Sequence, residues 1–428
     1  MSGTAPRVAI VQFPGSNCEA ESAAAVRRNG MTPEEFLWNR DPSELRDFDA
    51  FFLVGGFSYE DRSRAGVLSS LDPVLESVAA EADRGKPVLG VCNGAQILVE
   101  SGLVPGATGR RTCLALAPNR RQAGDRLLGS GFYNDWCHLR STVEPERTAF
   151  TRCLSPGARF RVPFAHAEGR FLAAPGLLDE LLANGQGVFR YCDANGGIDP
   201  GFPVNPNGSV ANLAAVSNPA GNVLAMMPHP ERTTAGDPIF ASMSEAIEAP
   251  GAAPAPALSY KPPPEEIEDC PVEPADRTLP VSLIIADTAA RSVEQCLRRL
   301  GFPVSVERRS LWTLGGERFP VDWQEQLART GELFNPNKEF VDHRPAGDPS
   351  VTAVIRVAPR EDLRGRRVLE TLRKRFDLPF PESLGHSVLW ILRFPSSEAR
   401  NTLLPRILST HALHNPVADR VCERMEVP

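Results

Sequence analysis

The chain has 428 residues, of which 42% are hydrophobic and 23% charged, with a net charge of −7. These values describe a globular protein too long for one ordinary core; they exclude a fibrous or disordered chain and weigh against general nucleic-acid binding. No apolar run reaches the roughly 20 residues that a membrane helix needs. Met1–Arg7 lacks the plan of a signal peptide, and nine cysteines with no CxxC pair indicate neither a disulfide framework nor a zinc site. A reducing cytoplasm is the expected compartment.

In chain order, "RVAIVQF" reads as a strand, "EAESAAAVRRNG" as a helix and "AFFLVGGF" as a second strand. "VLSSLDPVLESVAAEADRG" follows as one helix, then "PVLGVC" as a third strand with a helix opening after Cys92. The alternation predicts an α/β domain with a mostly parallel sheet over residues 1–245. Ligands of such sheets sit beyond the carboxyl ends of the strands, where Cys92 and the Gly55-Gly56 pair both fall. "ANLAAVSNPAGNVLAMM" predicts two strands joined by a turn, leading into "PHPER". Residues 246–279, rich in proline, alanine and glutamate, read as a semi-extended linker. Residues 280–428 then form a second, smaller α+β domain.

Gly90-Val91-Cys92-Asn93-Gly94 has the spacing of a nucleophile elbow, with cysteine in place of serine. The amino end of the helix after Cys92 favours a thiolate there. His229, stiffened between Pro228 and Pro230, is the candidate proton carrier. In an extended chain Glu231 projects to the same side and orients it. Backbone N–H groups near Gly56 and at Asn93 are the candidate oxyanion donors. A structural cysteine and a core histidine are the plainer readings of each motif alone; together, in this order, they point to a nucleophilic active site. Cys18, in "GSNCE", reads as a passive loop thiol, and the remaining cysteines as small hydrophobes.

These residues resemble a known family. "GVCNGAQIL" (90–98) with "PHPER" is the pattern of class I glutamine amidotransferases, which implies a flavodoxin-like domain. "VQFPGSNCE" (11–19), "GGFSYED" (55–61), "NDWCHL" (134–139), "PFAHAEGR" (163–170), "FRYCD" (189–193) and "NPNGSVANLAAVSNPAGNVLAMMPHPER" (205–232) narrow the resemblance. They are similar to the PurQ family, the glutaminase subunits of phosphoribosylformylglycinamidine synthase in purine biosynthesis. The resemblance implies that Cys92 attacks the side-chain amide of glutamine, forms a glutamyl thioester and releases ammonia. It implies His229 and Glu231 as the rest of a triad, Gly56 and Asn93 as the oxyanion hole, Gln96 near the bound glutamine, and no metal. Val54 stands where the family usually has proline, Glu60 where it usually has glycine, and Arg62-Ser63-Arg64 is less apolar than the family pattern. His166 reads as structural or partner-facing.

Residues 280–428 carry a degenerate repeat of strand, helix, strand, helix, Asn-Pro turn and short strand. One copy spans "VSLIIADTAARSVEQCLRRLGF" (281–302) to "ELFNPNKEFVD" (332–342); the other spans "VTAVIRVAPREDLRGRRVLETLRKRF" (351–376) to "ALHNPVADRVCERMEV" (412–427). Each copy is similar to the small accessory subunit PurS, which predicts a tandem, dimer-like adaptor. A species-specific appendage is the plainer reading, and "RGRRVLETLRKRF" reads as a solvated or acid-facing helix rather than an RNA-binding one. The chain has no GxxxxGK[ST] loop. No cofactor is therefore expected in it, and the resemblance assigns ATP and magnesium to a partner PurL-type synthetase, with a separate PurS required or replaced. The alternatives are an inactive scaffold of the synthase and a glutaminase serving another acceptor.

Overall fold

The structure, a computed structural model, describes residues 5–249, 251, 254–262, 267–269 and 277–424. The chain divides into two units, Met1–Pro263 and Pro264–Pro428. Among the described residues no helix is long and apolar enough to cross a membrane.

In the first unit, β1 (Arg7–Gln12), β2 (Thr32–Leu37), β3 (Ala50–Leu53), β4 (Val88–Val91) and the strand Val223–Met226 form the parallel part of one sheet. Their order is β2-β1-β3-β4 and then Val223–Met226. Leu213–Ser217, Gly187–Cys192, Tyr133–Ser141 and Arg159–His166 continue the sheet with antiparallel pairings. β3 and β4, reading AFFL and VLGV, are buried at every residue, as strands covered on both faces require. The reading from sequence passed over β2: "TPEEFL" contains a proline and two glutamates, which only an edge strand tolerates, and β2 is the edge.

Helix α1 (Glu19–Arg28) follows β1. Residues 67–85, read as one helix, are two: α2 (Val67–Ser70) and α3 (Pro73–Asp83). The break is at Asp72-Pro73, where Asp72 Oδ1 accepts the N–H of Val74 at 3.1 Å and Pro73 takes the first helical position. Proline disfavours helical geometry in the residue before it, so one continuous helix is not available. Helix α4 (Asn93–Glu100) leaves the end of β4.

The stretch read as a linker is not a free spacer throughout. The helix Asp237–Glu248 enters it, and residues 254–262 lie along the first unit. There Leu258 is buried, Ala255 N–H bonds to Pro219 O at 2.9 Å, and the Glu180 carboxylate accepts the N–H groups of Ser259 and Tyr260. Glu268–Asp269 pairs with the strand Asp419–Arg424. Residues 250, 252–253, 263–266 and 270–276 of the expected linker lie outside the described residues.

The second unit holds a seven-stranded sheet: six strands come from two halves of the same order, and Glu268–Asp269 adds the seventh at one edge. The first runs strand Thr278–Leu283, helix Thr288–Arg299, strand Ser305–Gly315, helix Trp323–Thr330, strand Glu339–Val341. The second runs Thr352–Pro359, Leu363–Phe376, Ser383–Arg393, Ser397–Leu408, Asp419–Arg424. Ser305–Gly315 and Ser383–Arg393 pair antiparallel from Ser305↔Arg393 to Gly315↔Ser383, so the halves meet about a local two-fold. Matching turns recur. Asn335 Oδ1 accepts Asn337 N–H at 3.0 Å while Asn335 N–H bonds to Glu339; Asn415 Oδ1 accepts Val417 N–H at 2.9 Å while Asn415 N–H bonds to Asp419. Each first helix is capped by aspartate, Asp287 and Asp362. Cys422, read from the sequence among the cysteines without chemical partners, is disulfide-bonded; spacing alone could not reveal that.

Candidate active site

Cys92 occupies the turn between β4 and α4 with φ +53° and ψ −106°, a strained conformation for a side-chain-bearing residue. The strain is held from both sides. Cys92 N–H bonds to Met226 O at 2.8 Å, and α4 packs so closely that a Cβ on Gly94 would lie 2.0 Å from Leu53 O. The thiol is buried, with Sγ 3.7 Å from Ala165 O.

His229 follows the strand beside β4 and is anchored by its own N–H to Pro163 O at 2.8 Å. His229 Nδ1 meets Glu231 Oε1 at 2.6 Å, and the two residues are only 2% and 1% exposed. The extended geometry expected for this pair is not how it forms. Pro230–Arg232 is a 3-10 turn with proline at its first position, and the turn brings Glu231 back under the ring. With Nδ1 engaged, Nε2 is the nitrogen left for the hydrogen bond to Cys92. Burial alone would lower the His229 pKa, but the Glu231 carboxylate and Cys92 outweigh it and raise it to about 10. An imidazolium beside the sulfur is the proton donor that a leaving amine requires.

The loop after β3 brings Gly56 to the segment after β1. Gly56 has φ +141°, and a Cβ there would lie 2.7 Å from Gly15 O and from Ser16 Cα. Ser58 N–H bonds to Asn93 Oδ1 at 3.1 Å, Asn93 Nδ2 to Gln96 Oε1 at 2.9 Å, and Gln96 Nε2 to Glu168 O at 2.6 Å. The side chains of Asn93 and Gln96 thus tie loop, helix and hairpin together. Gln96 holds the walls of the site and does not present a free amide. As the first residue of α4, Asn93 keeps a backbone N–H without an acceptor inside the helix.

Tyr59, Glu60, Asp61 and Ser63 all have positive φ, from +51° to +69°. Glu60, where the family usually has glycine, is thus forced into the left-handed region. Val54 is buried, and Arg64 forms a bidentate pair with Glu100 at 2.9 and 2.6 Å.

The sequence assigns no catalytic role to the other groups at the site, although Cys18, Asp61, His166 and Glu168 fall within the segments that resemble the family. Burial raises Glu168 to about 7, with Asp61 adding to the effect, and its carboxylate accepts the Ala65 N–H. Burial raises Asp61 to about 6, and its Oδ1 is buried without a hydrogen-bond partner among the described residues. Asn119 Nδ2 donates to His166 O at 2.7 Å and Gly131 O at 3.1 Å, which fixes Oδ1 as the acceptor facing Gly169 N–H and His166 Nδ1. His166 therefore carries its proton on Nδ1 and leaves Nε2 as a buried lone pair without a partner among the described residues. Burial, then His229, depresses His166 to about 3, so it stays neutral. Cys18 lies in the loop just before α1, as read from the sequence, but it is not passive: it is buried and accepts a hydrogen bond from Arg232 Nη2 at 3.1 Å.

An α/β sheet that sets a cysteine on a strand-to-helix elbow, with a histidine–glutamate pair beside it, is the architecture of a glutamine amidotransferase. The family profile described as "CobB/CobQ-like glutamine amidotransferase domain" matches residues 5–245, and the chain belongs to this family. Within it, the chain belongs with the PurQ proteins. It is 49% identical to phosphoribosylformylglycinamidine synthase subunit PurQ of Methanothrix thermoacetophila over 227 residues, 53% of this chain and 86% of that protein. It is 45% identical to PurQ of Thermomicrobium roseum over 226 residues, 53% and 87% of the two chains. A chain of the solved structure of PurLQS from Thermotoga maritima is 29% identical with a TM-score of 0.45, covering 57% of this chain and 100% of that one.

Proposed function

We propose that this chain is the glutaminase component of a phosphoribosylformylglycinamidine synthase. The observation that carries the reading is the buried line Glu231–His229–Cys92 in a chain of this family. Cys92 sulfur attacks the side-chain amide carbon of glutamine, and the oxyanion is received by the N–H groups of Gly56 and Asn93. His229 passes a proton to the departing nitrogen, so ammonia leaves and a glutamyl thioester remains. Water deprotonated by His229 cleaves the thioester, returning the thiol and glutamate. The neutral Nε2 of His166 offers an acceptor that does not protonate ammonia. Asp61 and Glu168 supply the negative end for the α-ammonium of glutamine.

Ammonia passes to a separate PurL-type synthetase that holds ATP and magnesium. The two halves of the second unit stand in for a pair of PurS subunits, a reading supported by their repeated order and matching Asn-Pro turns. The test is glutamate release from glutamine by the chain alone and with a PurL-type synthetase, with Cys92→Ala as control. Release that rises with the synthetase and vanishes in the variant is expected. Release that survives Cys92→Ala would overturn the mechanism.

A further inference from the structure

Three donors of different chemistry converge beside the proton path. Cys18 Sγ, an imidazole nitrogen of His229 and a carboxylate oxygen of Glu231 lie within 4.8 Å of one another, all on buried residues. Glu231 Oε1 is taken by His229, but Oε2 is buried and has no hydrogen-bond partner among the described residues. A buried carboxylate oxygen in that condition calls for a donor or a cation. The space between thiol and imidazole is kept open by Gly55, where a Cβ would lie 2.9 Å from Cys18 Sγ and 3.1 Å from His229 Cε1.

Arg232 adds positive charge at this place. Its Nη2 donates to Cys18 Sγ at 3.1 Å, and its Nε lies 3.9 Å from Glu231 Oε1. The guanidinium is not locked in. Its side chain is 35% exposed, and its Nε already donates to Glu21 Oε1 at 3.2 Å, a contact on the outer side that can hold it when Nη2 leaves the thiol.

We propose that Cys18, His229 and Glu231 form an inhibitory site for a soft divalent cation of the zinc class, guarded by Arg232. One sulfur, one nitrogen and one oxygen are the mixed donor set that zinc accepts at about 2.0–2.3 Å, with water in the fourth position. Magnesium and calcium, which take oxygen ligands, are excluded by the thiol. As the cation binds, the Cys18 S–H and the His229 Nδ1–H each release a proton to water, and metal–sulfur and metal–nitrogen bonds replace them. No electron moves. Glu231 turns from His229 to the metal, and Arg232 withdraws from the thiol while keeping its bond to Glu21. The imidazole can then no longer carry a proton between Cys92 and the departing ammonia, so hydrolysis stops while the nucleophile stays intact.

The test uses Co2+ and Zn2+ on the full chain. In Cys92→Ala, whose nucleophile cannot ligate, Co2+ is expected to give a thiolate-to-cobalt charge-transfer band that Cys92→Ala/Cys18→Ala lacks. In glutamate-release assays Zn2+ is expected to inhibit reversibly on addition of EDTA. Cys18→Ala should weaken that inhibition at least tenfold, and Arg232→Met, which removes the guarding charge, should strengthen it. Should Cys18→Ala misfold, Cys18→Ser in the same assays replaces it. A cobalt band that persists in Cys92→Ala/Cys18→Ala would overturn the site and assign the band to another cysteine; zinc inhibition equal in wild type and Cys18→Ala would overturn it and assign the inhibition to Cys92 with His229. The cobalt measurement needs no turnover, so its failure is separable from failure of the glutaminase reading.

Discussion

Glu60 sits at φ +57° with its side chain in solvent, paired with half-buried Arg62 at 3.0 Å. The left-handed conformation costs a non-glycine residue about 1–2 kcal/mol, and glycine returns part of that gain as unfolded-state entropy. Glu60→Gly is therefore expected to stabilise the chain by about 0.5–1 kcal/mol in denaturant titration; a lower midpoint would contradict the strain. Asp61 and Glu168 carry the opposite lesson. Their folded pKa values, about 6 and about 7, lie above the ordinary carboxylate range because burial disfavours the charge. An acid whose folded pKa is raised favours folding less as pH climbs from its unfolded value to its folded one. Glu168→Gln should thus raise Tm at pH 8 and leave it nearly unchanged at pH 4. The same variant should raise KM for glutamine, and lose discrimination against an analogue lacking the α-amino group. A unit KM ratio would remove the ammonium role. Of these residues the sequence announces only the triad, because GxCxG and HPE are compact signals at strand ends. Asn119 and His166 stand 47 positions apart, and nothing in local spacing links them.

At the scale of elements, the site depends on how closely α4 can approach the sheet. Gly94→Ala would set a Cβ 2.0 Å from Leu53 O, with backbone on both sides and no flexible end to yield. The variant is expected to lose about 2–4 kcal/mol of stability and to slow alkylation of Cys92, since the elbow must open to relieve the overlap. Unchanged Tm and labelling would show that α4 shifts at no cost. The elbow was legible from its glycines and from the switch from apolar run to helical period. The turn at Pro230 was not. A residue between two prolines reads as extended, yet Pro230 is equally suited to begin a 3-10 turn, and the buried Glu231–His229 bond decides between the two. The Asp72-Pro73 break was legible as a cap in hindsight of its hydrogen bond, but the apolar period runs across it.

For the whole molecule, the family and the order of the first unit could be read from motifs spread over residues 11–232. The repeat in residues 280–428 could be read from its strand–helix order and its two Asn-Pro turns. The edge strand β2 and the disulfide at Cys422 could not, because one depends on a neighbour's edge and the other on a contact that cysteine spacing does not show. If the second unit replaces a PurS pair, the full chain should co-elute with a PurL-type synthetase and support its glutamine-dependent reaction with no small subunit added. A requirement for added PurS would contradict that. The central claim, that Cys92 is the nucleophile, is tested most directly by the glutamine analogue 6-diazo-5-oxo-norleucine, given with the synthetase present and followed by peptide mass mapping. The account predicts one covalent adduct, on Cys92, formed in step with loss of glutamate release. Loss of activity with the label on another residue, or full activity with Cys92 labelled, would contradict it.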